Sequence, residues 1–170
     1  TVSLPPLGIL GGTFNPIHFG HLRMAQELGE GLDLAEVRLI PAGTPPHRDP
    51  PQVSAQQRLD MVRLGVSGNP LLRLDEREIL KQTPCYTLET LAELLAQQGR
   101  PDLALKSIKT VVAQVADREC TLSMAVKIAL QAGDAAFAEK CAAKIVAMNP
   151  TSFRHLMTRG LVRLELQKLT

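Results

Sequence analysis

The stretch that most limits what this chain can become is Gly11-Gly12-Thr13-Phe14-Asn15-Pro16-Ile17-His18-Phe19-Gly20-His21. It follows a short apolar run, Leu7-Gly8-Ile9-Leu10, and leads into Leu22-Arg23-Met24-Ala25-Gln26-Glu27-Leu28, where apolar side chains recur at helical spacing. This order predicts a buried strand, a glycine turn and a helix. Two further apolar runs continue the alternation: Val37-Arg38-Leu39-Ile40, stopped by Pro41, and the weaker Leu71 to Leu74. Between and after them the pattern predicts a helix over Gln57 to Val66, with Leu59, Val62 and Val66 on one face. Another is predicted over Thr87 to Gln98, with Thr87 as N-cap and Gly99 and Pro101 closing it. Strands alternating with helices at this spacing imply βαβ units and a parallel sheet, an α/β fold.

The second part of the chain has a different chemistry. Eleven of twelve prolines and ten of twelve glycines lie in residues 1–101, whereas twelve of eighteen alanines lie in the 69 residues after it. Pro and Gly punctuate loops and Ala favours helix, so a boundary is expected at 100–102, with a mostly α-helical segment over 102–170. Helices are expected at 103–117, 121–132, 135–148 and 152–166. For Ile108 to Val115, rich in β-branched residues, a fourth strand stands as an equal reading. Shifted by 34 residues, the segment matches itself: Ala104 with Ala138, Ile108 with Ala142, Val111 with Ile145, Leu122 with Leu156, Leu130 with Leu164. That period, with Ala138, Pro150 and Gly160 at corresponding positions, resembles tetratricopeptide-type helical repeats, although their bulky aromatic positions are not matched. Fewer than three such repeats bury their faces poorly alone, so self-association or a protein partner through 103–170 is expected.

At 45% hydrophobic and 21% charged the composition is that of an ordinary globular protein. A formal charge of +2 is too small to draw nucleic acid or a membrane by bulk electrostatics, so neither is expected as a partner, and any anion site has to be local. Cys85, Cys120 and Cys141 have neither CxxC spacing nor nearby histidines, so no disulfide framework or zinc site is indicated, and buried, reduced thiols are expected. No apolar run reaches the roughly eighteen residues of a membrane span. A cytoplasmic protein is the expectation.

The glycine string carries chemistry as well as topology. After a strand, glycines let backbone N–H groups approach a phosphate, and the helix beginning near Gly20 points its positive end at the same place. His18 and His21, three apart at a helix start, can face one ligand and donate to phosphate oxygens. Three strings in order, Gly11 to Leu22, then Pro41-Ala42-Gly43-Thr44-Pro45-Pro46-His47-Arg48, then Tyr86-Thr87-Leu88-Glu89-Thr90-Leu91, make residues 7–101 similar to the N-terminal half of the bacterial nicotinate-nucleotide adenylyltransferases, a branch of the HxGH nucleotidyltransferases. Asn15 stands where this family more often has Asp.

The resemblance implies a partial Rossmann-like nucleotide-binding domain over 1–101 and adenylyl transfer from ATP to nicotinate mononucleotide, a step of NAD biosynthesis. It implies His18 and His21 as catalytic residues, and Gly11, Gly12, Thr13, Phe14, His18, Gly20 and His21 as the ATP site. His47, Arg48 and Thr87 would contact the mononucleotide, and Mg²⁺ would be held mainly by nucleotide phosphates with no protein ligand. His155, in the helical part, reads as a surface or core-packing residue. Beyond about residue 101 the family's Gly-x-Asp segment, its Trp region and its late Ile-Ser-x-Thr-x-Ile-Arg motif are not found in this chain. A second reading is therefore a protein-interaction module of helical repeats joined to an inactive nucleotide-binding remnant.

Overall fold

The structure, a computed structural model, describes residues 6–44, 52–81, 86–115 and 118–168. The chain forms two compact units, Thr1–Tyr86 and Thr87–Thr170. The first contains β1 (Leu7–Gly12), α1 (Phe19–Gly31), β2 (Glu36–Pro41), α2 (Ala55–Val66), β3 (Leu72–Leu74) and the single turn α3 (Arg77–Leu80). The three strands form a parallel sheet in the order β1-β2-β3, with Leu7 opposite Glu36, Gly12 opposite Pro41, and Val37 opposite Leu72. This is the expected Rossmann-type parallel sheet. Central β2 buries Val37, Leu39, Ile40 and Pro41, as a strand covered on both faces must. Around it pack Phe14, Ala25, Val62 and Leu72, backed by Leu10, Ile17 and Leu22. Among the described residues the sheet ends at β1, where Ile9 and Gly11 are exposed. The start of α2 is fixed by a reciprocal cap: the Ser54 hydroxyl accepts from the Gln57 N–H at 3.2 Å, and the Gln57 side chain accepts from the Ser54 N–H at 3.1 Å.

The second unit is all helix: α4 (Thr87–Gln97), α5 (Pro101–Gln114), α6 (Glu119–Gln131), α7 (Ala135–Met148) and α8 (Phe153–Gln167). Each helix packs on the next, and α4 also touches α6. The 34-residue self-match is physical on α5 and α7, where Ala104 and Ala138, Ile108 and Ala142, and Val111 and Ile145 are all core residues. Polar pairs join alternate helices: the buried Thr121 hydroxyl of α6 donates to the buried Glu89 of α4, and the buried His155 of α8 meets the exposed Glu119 of α6 at 3.0 Å. His155 is thus a packing residue with an ionic partner.

Two expectations need correction and one open reading is settled. The break between units falls one helix before 100–102, because α4 packs on α5 and α6. Ile108 to Gln114 is helix, not a fourth strand: Ala104, Ile108, Val111 and Val112 share one buried face at helical spacing, and that packing outweighs β propensity. Cys120 is exposed, whereas Cys141 is buried and its thiol pKa pushed up by burial. Cys85 lies outside the described residues.

The repeat frame gives a direct test of packing. Leu122 is 0% exposed and its 34-residue counterpart Leu156 is 48% exposed. Leu122→Ala should therefore cost about 3 kcal/mol in chemical denaturation, and Leu156→Ala about 0.5 kcal/mol or less.

Candidate functional site

The site grows from the end of β1. The Ala42 N–H donates to the Gly12 carbonyl at 2.8 Å, extending the β1 and β2 pairing into the loop after Pro41 and setting two chain crossings side by side. Beyond Gly12 the backbone turns through Phe14, which takes a φ of 48°, a left-handed conformation that a bulky residue adopts at a cost of about 1 kcal/mol or more. Burial of the Phe14 ring in the sheet core offsets that cost. A Cβ on Gly12 would come within 2.9 Å of the Phe14 ring, so the glycine is required by the ring that anchors the turn. At Gly11 an added Cβ would meet nothing.

After the cis Asn15–Pro16 bond, His18 is the N-cap of α1 and His21 lies on its first turn. The two imidazoles stack at 3.8 Å between ring centroids, 30° from parallel, and Phe14 meets His21 edge to face at 5.1 Å. A Cβ on Gly20 would approach the His18 ring to 3.1 Å, so Gly20 leaves room for that ring to lie over the helix start. The His18 N–H approaches His21 Nδ1 at 3.4 Å, which assigns the proton of neutral His21 to Nε2 and makes that atom a donor. Partial burial, then the neighbouring His18, hold His21 below its ordinary pKa. No acidic side chain stands in the first turn of α1 to neutralise its positive end.

Sequence reasoning missed Arg58. Its side chain is 1% exposed and donates to the carbonyls of Thr13 at 2.7 Å, Ala42 at 2.6 Å and Gly43 at 2.9 Å. In a trans peptide the N–H points opposite to the carbonyl of the same plane. Arg58 therefore turns the N–H groups of Phe14, Gly43 and Thr44 away from itself. On its other side the loop rests on α3, where a Cβ on Gly43 would collide with the Glu78 carbonyl. The signal was present: Arg58 precedes Val62 by four residues and so shares its apolar face.

Gly11, Gly12, Thr13, Phe14, His18, Gly20 and His21 thus lie in one continuous turn and helix start of the first unit. Thr87 is the exposed first residue of α4, in the second unit, rather than a cap preceding it. His47 and Arg48 lie outside the described residues. Among the described residues no three His, Cys, Asp or Glu side chains converge on a metal position, and no helix is long and apolar enough to cross a membrane.

Arg58→Met would leave three buried carbonyls without their donor and should cost the first unit about 3 kcal/mol or more, read by chemical denaturation; Arg58→Lys, with a single ammonium, should recover only part. His21 supplies a pH test. Its folded pKa lies below its unfolded one, so the unfolded chain binds the proton more readily and stability falls as pH drops below about 6.5. His21→Gln should flatten that slope in melting curves recorded between about pH 7.5 and 5.5.

A cytidylyltransferase-like family profile matches residues 9–154. Over 102 residues the chain is 52% identical to a probable nicotinate-nucleotide adenylyltransferase of Halorhodospira halophila, covering 60% of this chain and 47% of that protein. Proteins of the same description from Dechloromonas aromatica and Aeromonas hydrophila are 54% identical over 94 residues and 57% identical over 90. These cover 55% and 53% of this chain, and 43% and 42% of the relatives. The chain spans less than half the length of the curated relatives it matches. Because the profile runs from the first strand through the glycine turn and on into α8, the chain belongs to the cytidylyltransferase-like family.

Proposed function

We propose that the glycine turn and the first turn of α1 bind the triphosphate of ATP, and that the chain serves adenylyl transfer to the phosphate of nicotinate mononucleotide. The products are nicotinate adenine dinucleotide and pyrophosphate, and the reaction is a cytoplasmic step of NAD biosynthesis. The observation that carries this reading is the stacked pair His18 and His21 at a helix N-terminus reached from a parallel strand through a glycine turn. The names of the relatives supply the acceptor.

The chemistry asks little covalent work of the protein. An anionic phosphate oxygen of the mononucleotide attacks the α-phosphorus in line, and the bond to the bridging oxygen of pyrophosphate breaks. Catalysis then consists of positioning and of stabilising charge on the phosphoryl oxygens. Neutral His21, with its proton on Nε2, suits the α-phosphate, where negative charge develops; His18 beside it suits the rest of the triphosphate. The N–H of Phe14, turned away from Arg58, and the N–H groups of Phe19 and Gly20 at the start of α1 add backbone donors. Gly11, open to solvent and without steric neighbours, leaves the backbone accessible to phosphate. His47 and Arg48 are assigned to the mononucleotide phosphate, for which a guanidinium fork is suited, and Thr87 to the same substrate. Mg²⁺ would be held mainly by the nucleotide phosphate oxygens and water, as suits an ion that dehydrates reluctantly, and would supply charge neutralisation there.

The test is pyrophosphate release from MgATP with and without nicotinate mononucleotide. Release that depends on the mononucleotide is expected, and His21→Ala should lower it about a hundredfold, since a donor aimed at developing charge contributes about 3 kcal/mol. Full activity in that variant would remove His21 from the mechanism, and failure of the folded chain to bind MgATP in calorimetry would overturn the reading as a whole.

A further inference from the structure

Helix α8 is apolar on two opposite sides. One side packs into the helical unit through His155 and Val162, both buried, while Arg159 and Arg163 reach Glu139 of α7 at 2.9 and 3.0 Å. The opposite side carries Phe153, Met157, Leu161 and Leu164, spaced so that all four fall within one narrow stripe, and all four are exposed, Phe153 at 76%. The repeat frame does not require this. Thirty-four residues earlier, α6 places Glu119, Ser123 and Lys127 where α8 places Phe153, Met157 and Leu161. At three of the four positions α8 thus carries an apolar residue where α6 carries a polar one, the fourth being Leu164 against the half-buried Leu130.

The charges beside the stripe say what fits it. Arg154 and Glu165 flank it on the same edge, near opposite ends of the helix. Among the described residues Arg154 forms no ion pair, and Glu165 is held only by Lys168 one turn away, at 2.6 Å. Consider a second α8 laid antiparallel against the first about a two-fold axis midway between Met157 and Leu161. At about 1.5 Å of rise per residue, Arg154 of one copy then comes level with Glu165 of the other to within about one residue, on the same edge, twice by symmetry. Met157 meets Leu161 across the axis. Gly160, beside the axis with nothing within 4 Å of an added Cβ, lets the two backbones approach. We infer that α8 is the interface of a symmetric homodimer, in which this stripe is covered by the same stripe of a second copy of this chain and the Arg154 and Glu165 pairs fix the antiparallel direction.

Sedimentation equilibrium of the full chain across micromolar to sub-millimolar concentration tests this. A monomer–dimer equilibrium is expected, and Met157→Glu with Leu161→Glu should make the chain monomeric while its far-ultraviolet circular dichroism, and its melting temperature at concentrations where the unaltered chain is monomeric, stay unchanged, because both residues are exposed. Arg154→Glu alone should weaken the dimer at least tenfold, and Arg154→Glu combined with Glu165→Arg should restore it. A monomer at every concentration, or a dimer indifferent to the Met157 and Leu161 substitutions, would overturn the inference. So would a monomer that binds anionic phospholipid vesicles through the same stripe, which would assign the face to a lipid surface instead.

Discussion

The guanidinium of Arg58 is the contact on which the first unit turns. It is a permanent charge removed from water, and burial alone draws its pKa down from the ordinary value. A residue so basic stays charged, and the cost of its burial is offset by three carbonyl oxygens from two chain segments far apart in sequence. That arrangement joins α2 to both loops at the ends of β1 and β2. It also decides the direction of the peptides it grips, so the same contact that closes the core turns the N–H groups of Phe14, Gly43 and Thr44 away from the guanidinium. The left-handed turn at Phe14, the ring buried beneath Gly12 and the stacked imidazoles beyond it are built on that fixed backbone.

How far these features could be read in advance depended on whether their cause was local. The glycine string announced the strand, the turn and the helix because each residue acts through its own backbone or its immediate neighbours. Helices α5 to α8 were legible from Ala content and from the 34-residue match, since both reflect repeated contact between adjacent helices. Helical spacing put Arg58 on the apolar face of α2, but its partners were obscure because Thr13 and Gly43 are 45 and 15 residues away. The short α3 was missed because four residues are too few to show a period. The space that Gly20 leaves for the ring of His18 is likewise a side-chain contact that the glycine string alone does not show.

The two units solve burial differently. In the first, a sheet of three strands depends on a buried charge and on one aromatic ring held in an uncommon conformation. In the second, small residues let helices approach closely, Ala104, Ala125, Ala129, Ala138 and Ala142 all lying in one core, and polar pairs between alternate helices hold the stack in register. Glu89 shows how closely packing and charge are joined there, since it accepts from Thr121 and has the Arg118 guanidinium 3.7 Å away.

The turn fixed by Arg58 is, on this reading, where phosphate binds. Backbone amide chemical shifts followed during titration with MgATP test it most directly. The largest changes are predicted at Gly11 to Phe14 and at His18 to His21, with those at Phe14 lost in Arg58→Lys at matched folded fraction. Shifts confined to the helical unit, or an unchanged response at Phe14 in that variant, would contradict it.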